Sequence, residues 1–252
     1  MTSITFRAFP SAEFIAGLGI VLTPPGGEPY WDVVANILSQ YDSLDAQHIS
    51  GYTIVAPGYI NPTLGITTPL DVYLGLFNLQ GLYPGNTSDS LVAALTAVFD
   101  AATAKYPGQF TAQVFPPSVY PDFWDWYSPS NGPLNGAGGD ILVGSRLLDE
   151  KALSQNLTAL KDALKIVTRT GSATGLYLVA GRGVANAKPR GGSNSVNPAW
   201  RKALAHTGKL CNIVKRGLSD LHVKLLVFPG RHLILWSKRS KRTCSLMFMS
   251  RP

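Results

Sequence analysis

Apolar positions along the chain switch between a period of two and a period near 3.6, which predicts strands interleaved with helices. Ile4-Thr5-Phe6-Arg7-Ala8-Phe9 alternates in the first way and reads as a half-buried strand. After Pro24-Pro25-Gly26-Gly27, apolar residues recur at Trp31, Val34, Ile37, Leu38, Tyr41 and Leu44, one buried stripe of a helix over 30–45. Two β-rich runs follow at 48–59 and 70–80, punctuated by Pro and Gly. A second helix over 88–105 carries Val92, Leu95, Val98, Phe99 and Ala102, with Ser88 and Asp89 as capping candidates. A strand at 109–115 comes next. A third helix over 149–168 steps through Leu153, Leu157, Leu160, Leu164 and Val167, and Asp149 and Glu150 suit its positive N-terminal end. The runs 175–186 and 196–206 read as the last strands.

Three helices cannot supply the crossovers that about seven parallel strands need, whereas antiparallel neighbours join through short loops. The pattern therefore predicts an α+β fold: a mostly antiparallel sheet with the helices on one face, the other face free to meet something. Between Pro116 and Gly139 the periodicity lapses, yet Tyr120, Phe123, Trp124, Trp126 and Tyr127 crowd into the gap. Such a segment suits either a folded-back loop over a sheet edge or a lid over a binding cavity.

Charge changes the picture at one point. Of 22 Lys and Arg, ten lie after Thr207, against one of the 15 acids, Asp220, so residues 208–252 are strongly basic and residues 1–207 are near neutral. Both cysteines, Cys211 and Cys244, also lie in the later segment. Residues 1–207 are read as one domain with a sizeable core, and 208–252 as a basic tail for which disorder is one reading. The run Lys238-Arg239-Ser240-Lys241-Arg242 resembles a nuclear address or a nucleic-acid patch, but such runs are more often solvated charge, and no nucleic-acid partner is expected. No stretch of eighteen apolar residues occurs, so no membrane partner is expected. No charged-then-apolar secretory leader opens the chain, which as it stands reads as cytoplasmic. Two N-x-[ST] sequons, at Asn86 and Asn156, point weakly the other way.

Candidate chemistry is sparse. Gly181-Arg182-Gly183-Val184-Ala185-Asn186 lacks the third glycine and the following helix of a dinucleotide fingerprint, because Pro189, Gly191 and Gly192 come next. His48 and His206 are the only histidines before the charge break, and no metal site is expected. No G-x-S-x-G elbow is present, and no catalytic residue can be named. A domain without its own catalytic constellation suits one that covers a cofactor held elsewhere.

Five segments in order carry a resemblance. They are Thr2-Ser3-Ile4-Thr5-Phe6-Arg7-Ala8-Phe9-Pro10, Tyr30-Trp31-Asp32-Val33-Val34, Gly51-Tyr52-Thr53-Ile54, Gly144-Ser145-Arg146-Leu147-Leu148 and Ser195-Val196-Asn197-Pro198-Ala199-Trp200-Arg201. Together they resemble the substrate domain of fungal berberine-bridge-enzyme-like FAD-linked oxidoreductases, in the vanillyl-alcohol-oxidase superfamily. The resemblance covers residues 1–207 and stops where the charge breaks. It implies FAD as cofactor, a small organic substrate of secondary metabolism, and a preceding FAD domain that this chain lacks. A separately encoded FAD domain is then a possible partner. Nothing in 208–252 matches the family's C-terminal motifs, so that segment reads as out-of-frame or intron-derived sequence, or else a diverged tail.

The resemblance further implies that substrate lies between the flavin ring and the open sheet face. Candidate substrate-facing residues are the ring and polar side chains Tyr52, Tyr73, Asn78, Arg182, Trp200, Arg201 and His206. His206 is of the type that takes a proton near neutral pH. Each has a plainer alternative: Trp200 packs beneath a helix, and Arg201 pairs with a surface carboxylate. The alternative for the whole chain is a non-catalytic truncated product, or an accessory subunit that binds no flavin by itself.

Overall fold

The alternation resolves into eight antiparallel strands in one sheet and a separate two-stranded hairpin. The computed structural model describes residues 5, 10–62, 65–130, 141–168, 172–192, 196–212, 224–228 and 232–236. In order, its elements are β1 (Phe14–Thr23), α1 (Glu28–Ser39), α2 (Tyr41–Ala46), β2 (Ser50–Asn61), β3 (Ile66–Gln80), α3 (Ser88–Thr103), β4 (Thr111–Val114) and β5 (Ser118–Tyr120). There follow α4 (Phe123–Ser130), β6 (Ile141–Asp149), α5 (Glu150–Ser154), α6 (Leu157–Val167), β7 (Thr174–Leu178), α7 (Arg182–Ala185), β8 (Ala203–Asn212), and the hairpin β9 (Lys224–Phe228) and β10 (His232–Trp236). A 3₁₀ turn, Pro198–Arg201, precedes β8. The main sheet runs β4-β1-β3-β2-β7-β8-β6, with β5 also paired to β1. No described helix is long and apolar enough to cross a membrane.

The α+β expectation holds. Alternate residues of the central strands (Ile15 and Val21 of β1, Val55 of β2, Tyr73 and Phe77 of β3, Leu176 of β7) join Val34, Ile37 and Leu38 of α1 and Leu91, Leu95 and Phe99 of α3 in one buried cluster. Burying a side chain of this size contributes about 1.5–3 kcal/mol, so this layer supplies much of the stability. Helix α6 reaches the same core through Leu160 and Leu164 but packs on α1, so it forms an outer part of the helical layer.

Several boundaries differ from the sequence reading for local reasons. The stripe expected over 30–45 is two helices, α1 and α2, broken at Gln40. Helix α3 is capped by Thr87, not by Ser88 or Asp89: Thr87 and Ser90 exchange side-chain-to-backbone hydrogen bonds of 3.1 and 2.9 Å. Asp149 caps α5, and Asn156 opens a new helix, α6. The expected strand 175–186 stops at Leu178, and that at 196–206 opens on the 3₁₀ turn. Ile4–Phe9 lies outside the described residues apart from Thr5, and the first described strand is instead β1.

The sheet does not stop at the charge break. Strand β8 continues through Thr207 to Asn212, with Gly208 opposite Gly175 on one side and Ser145 on the other. Within the basic segment, β9 and β10 pair from Lys224↔Trp236 to Phe228↔His232.

Candidate functional site

A strand period of two sends the residues opposite to the core set onto the other sheet face. There, register aligns one row across six strands: Leu18 of β1, Leu76 of β3, Tyr52 of β2, Tyr177 of β7, His206 of β8 and Leu147 of β6. Ile20, Leu74 and Ile54 form a neighbouring row, and Ala16, Asn78 and Ser50 another. Tyr52 is 52% exposed, Leu76 51% and Ile54 40%, so among the described residues no helix covers the middle of the face. Large apolar side chains rarely stand in such a group on a surface that meets only water.

The rings on this face form a chain. Tyr52 and Tyr177 have centroids 5.2 Å apart, Tyr177 and His206 6.2 Å, and His206 and Trp200 5.5 Å. Glycine shapes the floor beneath them: Tyr177 folds back along its own strand over Gly175, where a Cβ would overlap its hydroxyl. At Gly208 beside it a Cβ would stand 3.9 Å from the ring, an ordinary contact.

One end of the face is covered. Phe14, on the same side of β1 as Leu18, is buried beneath Phe123 and Trp126 of α4, with centroid separations of 5.5 and 4.6 Å. The aromatic segment after Pro116 is thus ordered as β5 and α4 through residue 130, over the β1 side of the sheet. Residues 131–139 of that expected loop lie outside the described residues.

Of the seven residues read from the sequence, Tyr52, Asn78, Trp200 and His206 come together on or beside the open face. Tyr73 does not, and this is a correction. It lies on the helix side, fully buried, in a hydroxyl cluster with Tyr41 and Thr53, where Tyr41 Oη is 2.6 Å from Thr53 Oγ1 and 3.3 Å from Tyr73 Oη. Burial pushes the Tyr41 hydroxyl up to about 12 and Tyr73 well above its ordinary range, so both stay neutral phenols.

The two arginines brace a turn. Arg182 opens α7, with its guanidinium 3.2 Å from Asp42 and 3.7 Å from Asp45. Its backbone N–H donates to Asp45 at 3.1 Å. Arg201 donates to the Val184 carbonyl at 2.7 Å. Gly181 stands at φ 130°, and a Cβ there would run into the Asp45 carboxylate. Burial raises the Asp45 carboxyl above its usual range, against the opposing pull of Arg182. This glycine segment does open a helical turn, which the sequence reading did not expect. The turn is four residues long and an acid already occupies its N-terminus, so it is no cradle for a phosphate.

Tyr177 was missed, although its signal was legible: Gly-x-Tyr within a strand places a residue without a side chain under an aromatic ring.

No family model matches the chain. Its helix-backed antiparallel sheet is shared with two solved VAO-type flavoproteins of Myceliophthora thermophila C1. MtVAO713 superposes with a TM-score of 0.65 at 20% identity, over 79% of this chain and 34% of that one. MtVAO615 superposes with a TM-score of 0.56 at 16% identity, over 80% and 34%. A curated protein of Arthroderma benhamiae, an uncharacterized FAD-linked oxidoreductase, is 29% identical in an alignment of 217 residues that covers 82% of this chain and 34% of that protein. The chain is thus homologous to an FAD-linked oxidoreductase, and it spans about a third of that relative's length.

Proposed function

We propose that this chain is the substrate-side domain of an FAD-dependent oxidoreductase of the berberine-bridge-enzyme-like kind, acting on a small organic molecule of secondary metabolism. The observation that carries the reading is the row from Leu18 through Leu76, Tyr52 and Tyr177 to His206, exposed at Leu76 and Tyr52, in the middle of a face that no described helix covers there. The five sequence segments and the homology to an FAD-linked oxidoreductase support it.

The described residues fit one part of the cofactor and not the other. An apolar, ring-lined face suits the edge or plane of an isoalloxazine with a small substrate between the two. The dinucleotide is another matter. The glycine turn at 181 is capped by Asp45, which would repel a pyrophosphate. The grip on FAD therefore belongs to a separate domain, on the same polypeptide or on a partner, and the chain by itself binds no flavin tightly.

A bound flavin supplies the hydride acceptor. This chain's residues do the rest on the substrate side. Leu76, Ile54 and Leu18 exclude water from the closed interface. Tyr52, Tyr177 and Trp200 orient a ring or sugar-like body by stacking. In this reading His206, which lies between Tyr177 and Trp200, takes the proton that leaves the substrate on an imidazole nitrogen.

Colour tests the division of labour. The purified chain, incubated with FAD and passed through gel filtration, is expected to emerge without the flavin band at roughly 450 nm. A chain that retains stoichiometric FAD overturns it.

A further inference from the structure

The two sequons of this chain stand in different surroundings, and the difference assigns a modification site. Asn156 is exposed and opens α6: its Oδ1 accepts the Ala159 N–H at 2.9 Å, which directs the carboxamide oxygen inward. Thr158, the third residue of that sequon, is exposed as well. The site lies on the helical layer, away from the open sheet face. Asn86 is only half-buried by comparison, but its Nδ2 donates to the Gln80 carbonyl at 2.7 Å. Gln80 ends β3 at the rim of the open face, opposite Phe14.

We propose that Asn156, and not Asn86, is an N-glycan acceptor when this chain is carried through a secretory compartment. The group donor is a lipid-diphosphate-linked oligosaccharide. The bond between the first sugar's C1 and the diphosphate breaks, a bond from C1 to Asn156 Nδ2 forms, and the lipid diphosphate leaves with the amide proton. The cap survives this, because the glycan attaches at nitrogen while the oxygen holds the Ala159 N–H. A glycan on Asn86 would crowd the Nδ2 donation to Gln80 and the rim of the interface proposed above. The proposal does not depend on that interface binding a flavin.

The test is secretion of the full 252-residue chain from yeast behind a cleavable leader, with peptide mass spectrometry before and after endoglycosidase. Wild type and Asn86→Gln are expected to carry one glycan, on Asn156. Asn156→Asp, which keeps a capping oxygen, and Thr158→Ala, which leaves the cap untouched, are expected to carry none. An unmodified Asn156 in the secreted wild type, or occupancy at Asn86, overturns the assignment.

Discussion

The phenol of Tyr177 lies along its own strand over Gly175, in space that a single methyl group at residue 175 would take. That relationship fixes how the ring row is laid out, because Tyr177 bridges Tyr52 and His206. Gly175→Ala is expected to lift the ring and lower stability by about 1–3 kcal/mol, as overpacking does. Gly208→Ala, with 3.9 Å of clearance, is expected to cost clearly less. Urea midpoints of the two variants decide this.

Neighbouring residues of β3 separate the two sheet faces. Phe77 is fully buried against the helices, and Phe77→Ala is expected to cost about 3–5 kcal/mol. Leu76 stands half in solvent, and Leu76→Ala is expected to stay within about 0.5 kcal/mol. Thermal denaturation that ranks them the other way would mean that the open face is a core.

In the helical layer, Leu164→Ala removes a buried contact between α6 and the core and is expected to cost about 2–5 kcal/mol. Leu157→Ala, only partly buried at the start of the same helix, is expected to cost less. Equal losses from both would show that α6 packs differently.

Asp32 gives the fold a pH dependence. Burial raises its carboxyl, but the Tyr106 hydroxyl at 2.7 Å and Lys161 at 3.0 Å outweigh this and leave it below the ordinary range. A carboxyl lowered in the folded state stabilises above its unfolded pKa and loses that contribution as pH falls through the folded value. Asp32→Asn is therefore expected to cost about 0.5–1 kcal/mol at neutral pH, discounted for solvent screening. The gap to wild type closes in acid below the carboxylate range. Denaturation midpoints of both proteins across pH 7 to 2, roughly the span in which carboxylates titrate, measure this.

Much of the fold was legible because burial imposes a period. The stripes of α1, α3 and α6 and the runs of β2 and β3 were readable, since each meets one partner surface. β1 was not, because Phe14–Thr23 is apolar on both faces, and Gly17 and Gly19 stand where Leu91 and Phe99 press in. α4 was hidden in a segment whose rings pack on one another and on Phe14.

The candidate site was legible in part. Strand parity alone separates Tyr73 from Asn78, five residues apart and so on opposite faces; their polarity suggested a shared face that the pleat forbids. Arg182 carried no mark of its turn-bracing role, since Asp42 and Asp45 are about 140 residues away in sequence, and Arg201 carried none because its partner is a backbone carbonyl, that of Val184.

The central claim is that the open sheet face receives a flavin-bearing domain, and Leu76 sits in the middle of that face. The measurement is co-elution in gel filtration, with the chain mixed, in the presence of added FAD, with the part of the Arthroderma benhamiae relative outside the matched third. Wild type is expected to carry the yellow band into a larger complex, and Leu76→Lys, folded by circular dichroism, is expected to leave it behind. A wild-type chain that forms no complex, or a Leu76→Lys variant that forms one just as tightly, would contradict the account.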